Sequence, residues 1–331
     1  MPTNSARVAV VIPCFRVGDR VLQVLGRIGP EVQRIYVVDD ACPEGTGQRV
    51  QSRCSDPRVR VLWHEHNQGV GGAMITGYRA ALADGAGVVV KIDGDGQMAP
   101  ELLPGFIAPL LHGEADYTKG NRFFNLEKIL RMPRLRLVGN AVLSFMAKLS
   151  TGYWRNFDPT NGYTAISADV LAQLPLDRID RRYFFETDML FRLNTLRAVV
   201  VDVPMDAHYD GETSSLRVHR VLPEFLFKHL RNAVKRVFYN YYLRDLSIAS
   251  LELPLGAGLM LFGAVTGAWH WWQSVHTGVP ATAGTVMLSA LPLLMGLQLL
   301  LAFVSYDIGS VPQRPLSRLG RDIRARRALE D

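Results

Sequence analysis

The chain has little cysteine and little lysine for its 331 residues. Its three cysteines, Cys14, Cys42 and Cys54, cannot form a paired framework, and none has metal-ligand spacing to another cysteine or a histidine. A disulfide scaffold and a cysteine metal site are therefore excluded, and reduced cytosolic thiols are expected. Six of the 37 basic residues are lysine, so arginine provides most of the positive charge behind the net charge of +6.

The N-terminal residues have no charged leader followed by a long apolar core, so no signal peptide is predicted. The sequence also has no internal repeat and no low-complexity tract, and its length fits one large or two modest domains. Its basic residues cluster at 122–136, 217–244 and 314–327. Basic clusters beside apolar segments are more typical of contact with anionic lipid than with nucleic acid.

Two long segments near the end of the chain almost lack charge. Residues 248–272 contain a single acid, Glu252, and residues 283–305 contain no charged residue. Each is long enough to cross a bilayer, which takes about 20 residues. The link at 273–282 has no Lys or Arg, whereas both outer flanks are rich in Arg, so both flanks and the large N-terminal domain are predicted to be cytoplasmic. The alternative is a pair of buried core helices.

An amphipathic pattern precedes the first of these segments. Apolar residues recur at spacings of three and four at Leu222, Leu226, Leu230, Val234, Val237 and Tyr241. Basic residues fall largely off this stripe, which predicts a helix lying in the membrane surface. The alternative is a helix packed on the core with a solvated basic face.

Strand and helix patterns alternate over the first 100 residues. Strands are predicted at 7–13, 34–40, 58–64 and 87–93, with helical spacing at 21–28 and 73–82 between them. This order predicts a parallel α/β sheet, in which ligands bind at the carboxyl ends of the strands. Asp39, Asp40, Asp93 and Asp95 all fall at such ends.

The fourth predicted strand runs into Asp-Gly-Asp-Gly-Gln at 93–97. In an extended chain Asp93, Asp95 and Gln97 point to one side, and the intervening glycines let the backbone turn sharply. Two carboxylates on one side suit Mg²⁺ or Mn²⁺, which also keep waters and substrate phosphates as ligands. A solvated acidic turn is the alternative interpretation.

Six short motifs follow one another in a specific order: VAVVIPCF, VVDDACPEGT, NQGVGGA, DGDGQ, KGNRF and DPTNGYTA. In this order they resemble family 2 glycosyltransferases of the GT-A fold, and more narrowly the polyprenyl-phosphate glycosyltransferases such as dolichol-phosphate mannose synthases. Some residues depart from the family pattern. Cys14, Phe15, Arg16 and Val17 follow Pro13 where the family has x-Tyr-Asn-Glu. The donor nucleotide is therefore expected to be held differently here.

The resemblance implies a set of nucleotide-sugar contacts: Pro13, Phe15, Asp39, Asp40, Asn67, Gly71, Asp93, Gly94 and Asp158. Asp40 is favoured over Asp39, for which capping of the next turn is the alternative. The amides of the glycine run either receive phosphate or pack closely. Asp93, Asp95 and Gln97 are expected to hold the metal, with His208 as a further candidate.

The resemblance also implies an anionic acceptor, a lipid phosphate held mainly by arginines. The candidates are Arg122, Arg131, Arg134, Arg136 and Arg217, with the hydroxyl of Ser214. Such a phosphate has its second pKa near 6 and needs no strong base. For the arginines at 131, 134 and 136, general attraction to lipid headgroups is the alternative. Glu186 or Asp188 would act as base toward a hydroxyl acceptor, or would be helix N-terminal acids. Asp93, Asp95 and Arg122 complete the catalytic candidates.

The implied protein is an α/β GT-A, Rossmann-like nucleotide-diphospho-sugar transferase domain followed by interfacial amphipathic helices and two transmembrane helices. The domains are predicted at 1–216, 217–246, 247–306 and 307–331. The implied reaction is inverting, metal-dependent transfer from a UDP- or GDP-linked sugar to polyprenyl phosphate at the cytoplasmic face of a bacterial inner membrane. The alternatives are a hydroxyl acceptor on a glycan or glycolipid, and a membrane-tethered nucleotide-sugar sensor or scaffold. The sugar and the oligomeric state, a homo-oligomer included, stay open.

Overall fold

The computed structural model describes residues 7–124, 134–206 and 218–318. The chain divides into two compact units. The first is Met1–Ala233 together with Pro312–Asp331, and the second is Val234–Val311. The chain therefore leaves the first unit and later returns to it.

A seven-stranded sheet forms the centre of the first unit. Its strands are β1 Val8–Cys14, β2 Arg34–Asp39, β3 Val59–Trp63, β4 Val88–Lys91, β5 Tyr117–Asn121, β6 Thr164–Ser167 and β7 Val200–Pro204. The spatial order is β3-β2-β1-β4-β6-β5-β7. Strand β6 is antiparallel to both of its neighbours, and the other pairs are parallel. The predicted parallel α/β sheet is confirmed for β1 to β4, while β6 makes the whole sheet mixed.

Helices connect the strands of the first unit. They are α1 Arg20–Arg27, α2 Thr46–Arg53, α3 Gly69–Ala83, α4 Leu103–Leu111, α5 Arg134–Thr151, α6 Ala168–Leu171 and α7 Phe185–Leu196, with 3₁₀ turns at Pro100–Leu102 and Leu176–Arg178. Helix α8, Val218–Phe238, follows the last strand, and its final residues from Val234 onward belong to the second unit. The helical spacings predicted at 21–28 and 73–82 correspond to α1 and α3. Helix α3 approaches β1 so closely that a side chain at Gly77 would clash with Val11.

Valine-rich strands explain the position of the core. Every residue of β4 is buried, and six of the seven residues of β1 are buried. Such strands read as continuous apolar runs rather than alternating ones, because a sheet of this kind is covered on both faces. The exception inside β4 is Lys91, a lysine only 1% exposed.

A fully buried carboxylate ties the end of the chain to this sheet. Asp116, just before β5, accepts hydrogen bonds from the backbone amides of Val199, Leu316 and Ser317, all at 2.9 Å. Two of these amides belong to the segment that returns to the first unit after residue 311. This segment is therefore an integral part of the sheet domain.

Helix α8 leaves its apolar stripe uncovered in the first unit. Leu222, Leu226 and Leu230 are each more than half exposed, whereas His229 and Asn232 are buried. The helix thus packs through a polar face and presents leucines outward. This contradicts the alternative of a core-packed stripe and agrees with a helix suited to a membrane surface.

The second unit contains two long helices, α9 Ala249–Thr277 and α10 Ala283–Gly309. Both are long and apolar enough to cross a membrane, and few residues of their most apolar windows are buried in the protein. They contact each other at glycines: a Cβ placed on Gly296 would lie 2.7 Å from the Gly256 carbonyl oxygen. Small residues at such crossings allow close backbone approach between membrane helices.

One ion pair is buried within the second unit. Arg236 donates hydrogen bonds to Asp307 at 2.6 and 2.9 Å, and the Tyr241 hydroxyl donates to the same carboxylate. Tyr241 lies in a π-helical turn, Tyr239–Arg244, between α8 and α9. A charged group on an apolar helix is tolerated when it is paired in this way.

Candidate active site

The candidate residues collect at one edge of the sheet. Strands β1, β2, β4 and β5 run in the same direction, so their carboxyl ends meet there. The residues at or just after these ends are Pro13 and Phe15, Asp39 and Asp40, Asp93 and Asp95, and Arg122. Asp158 lies at the same edge, ahead of the antiparallel strand β6. Phe15 is 42% exposed, as a side chain that contacts a ligand requires.

Asp39 caps the turn that follows β2. Its carboxylate accepts hydrogen bonds from the amides of Cys42 at 2.7 Å and Gly47 at 2.6 Å, and its side chain is buried. This is the capping alternative raised by the sequence. Its role toward a nucleotide stays a prediction.

Asp40 holds the start of α3. Its carboxylate accepts hydrogen bonds from the amides of Gln68 and Gly69, both at 2.8 Å, and His64 Nδ1 lies 2.7 Å away. Asn67 donates to the Asp40 carbonyl at 3.3 Å. Asp40 is 2% exposed. Any contact with a base or ribose, still a prediction, would have to be made from this fixed position.

The glycine run packs against the segment before α7. The amides of Gly71 and Gly72 donate to the Arg181 carbonyl at 2.9 and 3.2 Å, and a side chain at Gly71 would collide with Asp180. Gly69 has a φ of +83°, which favours glycine. The amides of Gly71 and Gly72 are thus engaged by a protein acceptor, which supports the close-packing alternative for these two glycines. Gly71 as a nucleotide contact through its surface stays a prediction.

A buried lysine organises the end of β4. Lys91 Nζ lies 2.7 Å from Asp93 Oδ1 and 3.3 Å from Glu186 Oε1, and it donates to the Gly162 carbonyl at 3.1 Å. The side chain of Lys91 is 1% exposed, that of Glu186 12% and that of Asp93 30%. Glu186 reaches this point from the first turn of α7. The structure therefore brings together two predicted residues through a third that the sequence analysis missed.

Charge and burial act in opposite directions on this group. Burial by itself lowers the pKa of Lys91, but the Asp93 and Glu186 carboxylates outweigh it and raise that pKa above its ordinary value. Burial raises the pKa of Glu186, and the Asp93 charge adds to this, while Lys91 opposes it. Lys91 is therefore a charged ammonium between two carboxyl groups.

The donor set after β4 fits a hard divalent cation. Asp93 and Asp95 supply carboxylate oxygens, and Asp95 accepts a hydrogen bond from the Gln97 amide at 3.0 Å, which fixes the turn. Among the described residues no group of three His, Cys, Asp or Glu side chains forms a complete metal cage. A pair of carboxylates completed by water and substrate oxygens is the arrangement that Mg²⁺ adopts in many phosphate-handling sites.

A bidentate ion pair marks the end of β5. Arg122 Nε and Nη2 donate to the Asp158 carboxylate at 2.7 and 2.6 Å, and Asn161 donates to the same group at 3.0 Å. Burial would raise the pKa of Asp158, but Arg122 lowers it. Asp158 has a φ of +54°, a conformation that is uncommon outside glycine but that aspartate adopts more readily than most residues. The predicted donor-sugar contact is thus also the residue that orients the predicted acceptor contact.

Beneath this pair lies a second buried lysine. Lys119 Nζ contacts Asp202 Oδ1 at 3.1 Å and donates to the carbonyls of Gly120 and Phe157. Asn121 also donates to Asp202 at 2.8 Å. These groups hold the loop at 156–158 against β5 and β7. Neither Lys119 nor Asp202 was predicted.

Asp188 does not join the group around Lys91. Its carboxylate accepts hydrogen bonds from the Asp180 amide, Arg192 and Asn232, each at 3.0 Å, and it is 1% exposed. These bonds connect α7 with α8 and with the loop before α7. The arrangement leaves Glu186 as the better placed of the two acidic candidates.

Several predicted residues lie beyond what the structure describes. Arg131, His208, Ser214 and Arg217 fall outside the described residues. Arg134 and Arg136 fall in the first turns of α5, where the backbone alone is described. Their roles stay predictions.

A sequence signal for the missed lysines exists. Lys91 interrupts a valine run, and Lys119 sits within the fully buried strand β5. A lysine inside a buried strand requires a carboxylate partner, because an unpaired buried charge is strongly unfavourable. Each such lysine therefore points to an acidic residue nearby in space.

Comparison with known proteins assigns the sheet domain. The profile described as "Glycosyl transferase family 2" matches residues 9–174. The undecaprenyl-phosphate mannosyltransferase of Micrococcus luteus is 35% identical over 203 residues, which cover 60% of this chain and 82% of that protein. The UDP-N-acetylglucosamine–dolichyl-phosphate N-acetylglucosaminyltransferase of Methanococcus voltae is 28% identical over 214 residues, covering 60% and 85%.

A solved structure shares the architecture over most of the chain. The mannosyltransferase of Pyrobaculum calidifontis, in complex with GDP-Man and Mn²⁺, has a TM-score of 0.50 and 15% identity, with 92% of this chain and 88% of that chain covered. At this identity the similarity establishes the fold alone.

Proposed function

Since the chain belongs to glycosyl transferase family 2, we propose that it transfers a sugar from a nucleotide-diphosphate sugar to the phosphate of a polyprenyl phosphate. The names of both curated relatives contain a polyprenyl-type phosphate, undecaprenyl or dolichyl, but different sugars. The shared phosphate supports a polyprenyl phosphate as the acceptor. The different sugars leave the identity of the transferred sugar open. The donor is UDP- or GDP-linked in this proposal.

One geometric observation supports this proposal most strongly. A net negative group, Asp93 and Asp95 with Glu186, and an oriented guanidinium, Arg122, lie at the same edge of one sheet. The first attracts a cation that accompanies a diphosphate, and the second is complementary to an anionic acceptor. A transfer between two phosphate-bearing substrates needs both.

Asp93 and Asp95 would hold Mg²⁺ or Mn²⁺. The bound Mn²⁺ of the Pyrobaculum calidifontis enzyme supports a divalent ion in this fold. When bound, such an ion offsets the charge that develops on the departing nucleoside diphosphate. The protein contributes the carboxylates, fixed by the turn at Gln97 and by Lys91.

Arg122 would bind the acceptor phosphate. Its guanidinium is already oriented by two hydrogen bonds to Asp158, so little side-chain freedom is lost on binding. The acceptor oxyanion attacks the anomeric carbon as the bond to the diphosphate oxygen breaks, in one displacement that inverts the configuration. Because a phosphate monoester is largely ionised at neutral pH, no base is needed.

The membrane segments fit a lipid-borne acceptor. Helices α9 and α10 have the length and composition of spans, and the exposed leucines of α8 and the exposed Val138, Val142 and Phe145 of α5 offer apolar surface. The arginine-rich flanks of the two spans support a cytoplasmic position of the sheet domain.

A hydroxyl acceptor is the second candidate, and the position of Glu186 favours it. A carboxylate next to the sheet edge whose pKa is raised by burial has the properties of a general base. In the leading proposal the same group would orient sugar hydroxyls.

One experiment separates these candidates. The full chain in membranes is incubated with radiolabelled UDP- and GDP-sugars and undecaprenyl phosphate, and the product is partitioned into organic solvent. Metal-dependent label in the lipid phase supports the proposal. Label on hydroxyl acceptors alone supports the second candidate, and binding without transfer for every donor contradicts both.

A further inference from the structure

The side chain of Lys91 is enclosed by the groups that it contacts at the edge of the candidate site. It is the last residue of β4, its side chain is 1% exposed, and its ammonium group reaches both Asp93 and Glu186. Asp93 belongs to the strand end and Glu186 to the first turn of α7, 93 positions apart in sequence. Lys91 therefore joins two separate elements at the site edge.

Gly162 makes room for this arrangement. A Cβ there would lie 2.5 Å from Lys91 Nζ and 2.6 Å from Asp93 Oδ2, so no other residue fits without displacing the pair. The Gly162 carbonyl accepts a hydrogen bond from Lys91. The ammonium group thus has three acceptors from three parts of the chain and little freedom to move.

We propose that Lys91 is a positioning residue that fixes Asp93 and Glu186 in one shared orientation toward the bound donor. This inference rests on the proposed function for the role of the two carboxylates. Lys91 itself is too deeply buried to contact a substrate. Its effect on the reaction passes through the two carboxylates, and without it they would repel each other and lose their common anchor.

The test compares single and double substitutions in the purified full chain. Lys91→Met keeps an unbranched side chain one atom shorter and removes the charge, and Glu186→Gln removes one of the two carboxylates that Lys91 balances. Turnover with saturating donor and undecaprenyl phosphate is measured together with the thermal midpoint without substrates. Lys119→Met serves as a matched control, because Lys119 is equally buried and pairs instead with Asp202.

Two results are expected. Lys91→Met lowers the midpoint by roughly 5 to 10 °C, and adding Glu186→Gln restores much of this loss because one unpaired buried carboxylate is gone. Lys91→Met lowers kcat about 100-fold in the parent but only about tenfold or less in the Glu186→Gln background, since residues that act as a unit are not additive. Lys119→Met lowers the midpoint but changes kcat by the same factor in both backgrounds.

The inference is overturned if Lys91→Met lowers kcat by equal factors with and without Glu186→Gln, or if the midpoint is not restored. If Lys91→Met alone does not fold, a folded double variant supports the inference and an unfolded one contradicts it. Absence of sugar transfer by the parent refutes the proposed function instead. The midpoints still decide whether Lys91 and Glu186 are coupled.

Discussion

Two buried lysines lie on one row of the sheet and contact different groups. Lys91 of β4 and Lys119 of β5 both pair in register with Thr164 of β6, and each is 1% exposed. Lys91 contacts carboxylates at the site edge, Asp93 and Glu186. Lys119 contacts Asp202 and two backbone carbonyls. Lys91 thus offsets negative charge at the candidate site, whereas Lys119 holds the loop at 156–158 in place.

The net charge of the two clusters explains the difference. Lys91 contacts two carboxylates, those of Asp93 and Glu186, and Asp95 follows two residues after Asp93, so acidic groups outnumber the lysine and the cluster attracts cations. Lys119 and Arg122, in contrast, are matched by Asp202 and Asp158. Burial lowers the pKa of Lys119 and outweighs the effect of Asp202, whereas the carboxylates near Lys91 raise the pKa of that residue. We therefore predict metal binding at the first cluster, whereas the second cluster orients Arg122 through Asp158.

The largest effect is expected at the acidic cluster. Asp95→Asn should lower turnover about 1,000-fold, because a metal contributes several kcal/mol to transition-state stabilisation and about 1.4 kcal/mol corresponds to tenfold in rate. Sugar transfer at saturating Mn²⁺ measures it. Asp177→Asn, at an exposed ion pair with Arg79, is the control and should leave turnover unchanged. If folded Asp95→Asn kept full activity, the prediction that the acidic cluster binds a metal and the Lys119 cluster does not would be wrong.

The neutral cluster should control stability instead. Asp202→Asn leaves Lys119 buried without its carboxylate and is expected to reduce the free energy of unfolding by about 3 kcal/mol. Denaturant unfolding monitored by tryptophan fluorescence measures the loss. Asp19→Asn, which touches only exposed arginines, should cost less than about 1 kcal/mol. If both variants lost the same free energy of unfolding, the Lys119–Asp202 pair would contribute no more than an exposed ion pair, contrary to the prediction.

A smaller effect on activity is expected from Arg122→Lys. The substitution keeps the charge but loses the paired hydrogen bonds to Asp158, so kcat/KM for polyprenyl phosphate should fall about tenfold. Kinetics with each substrate varied in turn measure this, and Arg79→Lys is the matched control. A change confined to the KM of the nucleotide sugar would instead indicate that Arg122 binds the donor and not the acceptor.

The last prediction concerns stability in acid rather than activity, because a buried histidine outside both clusters also changes the pH dependence of unfolding. His229 is buried against Ser150, and burial lowers its pKa to about 4. The unfolded chain takes up a proton near pH 6.5 and the folded one does not, so stability is lost as pH falls from about 6.5 toward 4. His229→Asn should reduce this loss in unfolding experiments across the same range. An unchanged slope would assign the loss to the carboxylates.

Much of the scaffold follows from local sequence. The valine-rich strands β1 to β4, the helices α1 and α3 and the two long apolar helices were predicted because their periodicity and composition act locally. The order of strands β4-β6-β5-β7 was not predicted, since pairing between distant segments leaves no periodic signal. The carboxyl edge of the sheet was predicted as the site from the strand–helix order and the aspartates at the strand ends, and the family resemblance is confirmed by the match to residues 9–174.

The roles of individual acids were harder to predict. Asp93 and Glu186 meet at Lys91, while Asp188, two residues further, faces Arg192 and Asn232. The sequence offered no way to choose between Glu186 and Asp188, because the choice depends on which face of α7 meets β4. The sequence likewise left two alternatives for the amides of the glycine run, phosphate binding or close packing, because the Arg181 carbonyl that accepts from Gly71 and Gly72 is distant in sequence.

The carboxylate of Asp116 has a consequence for how the protein is made. Two of the amides that it binds, those of Leu316 and Ser317, emerge from the ribosome about 200 residues after it. These two hydrogen bonds can therefore form only after both long apolar helices have been synthesised. A shortened enzyme that ends before those helices would leave this buried acid lacking two donors, and is expected to be less stable than the whole chain.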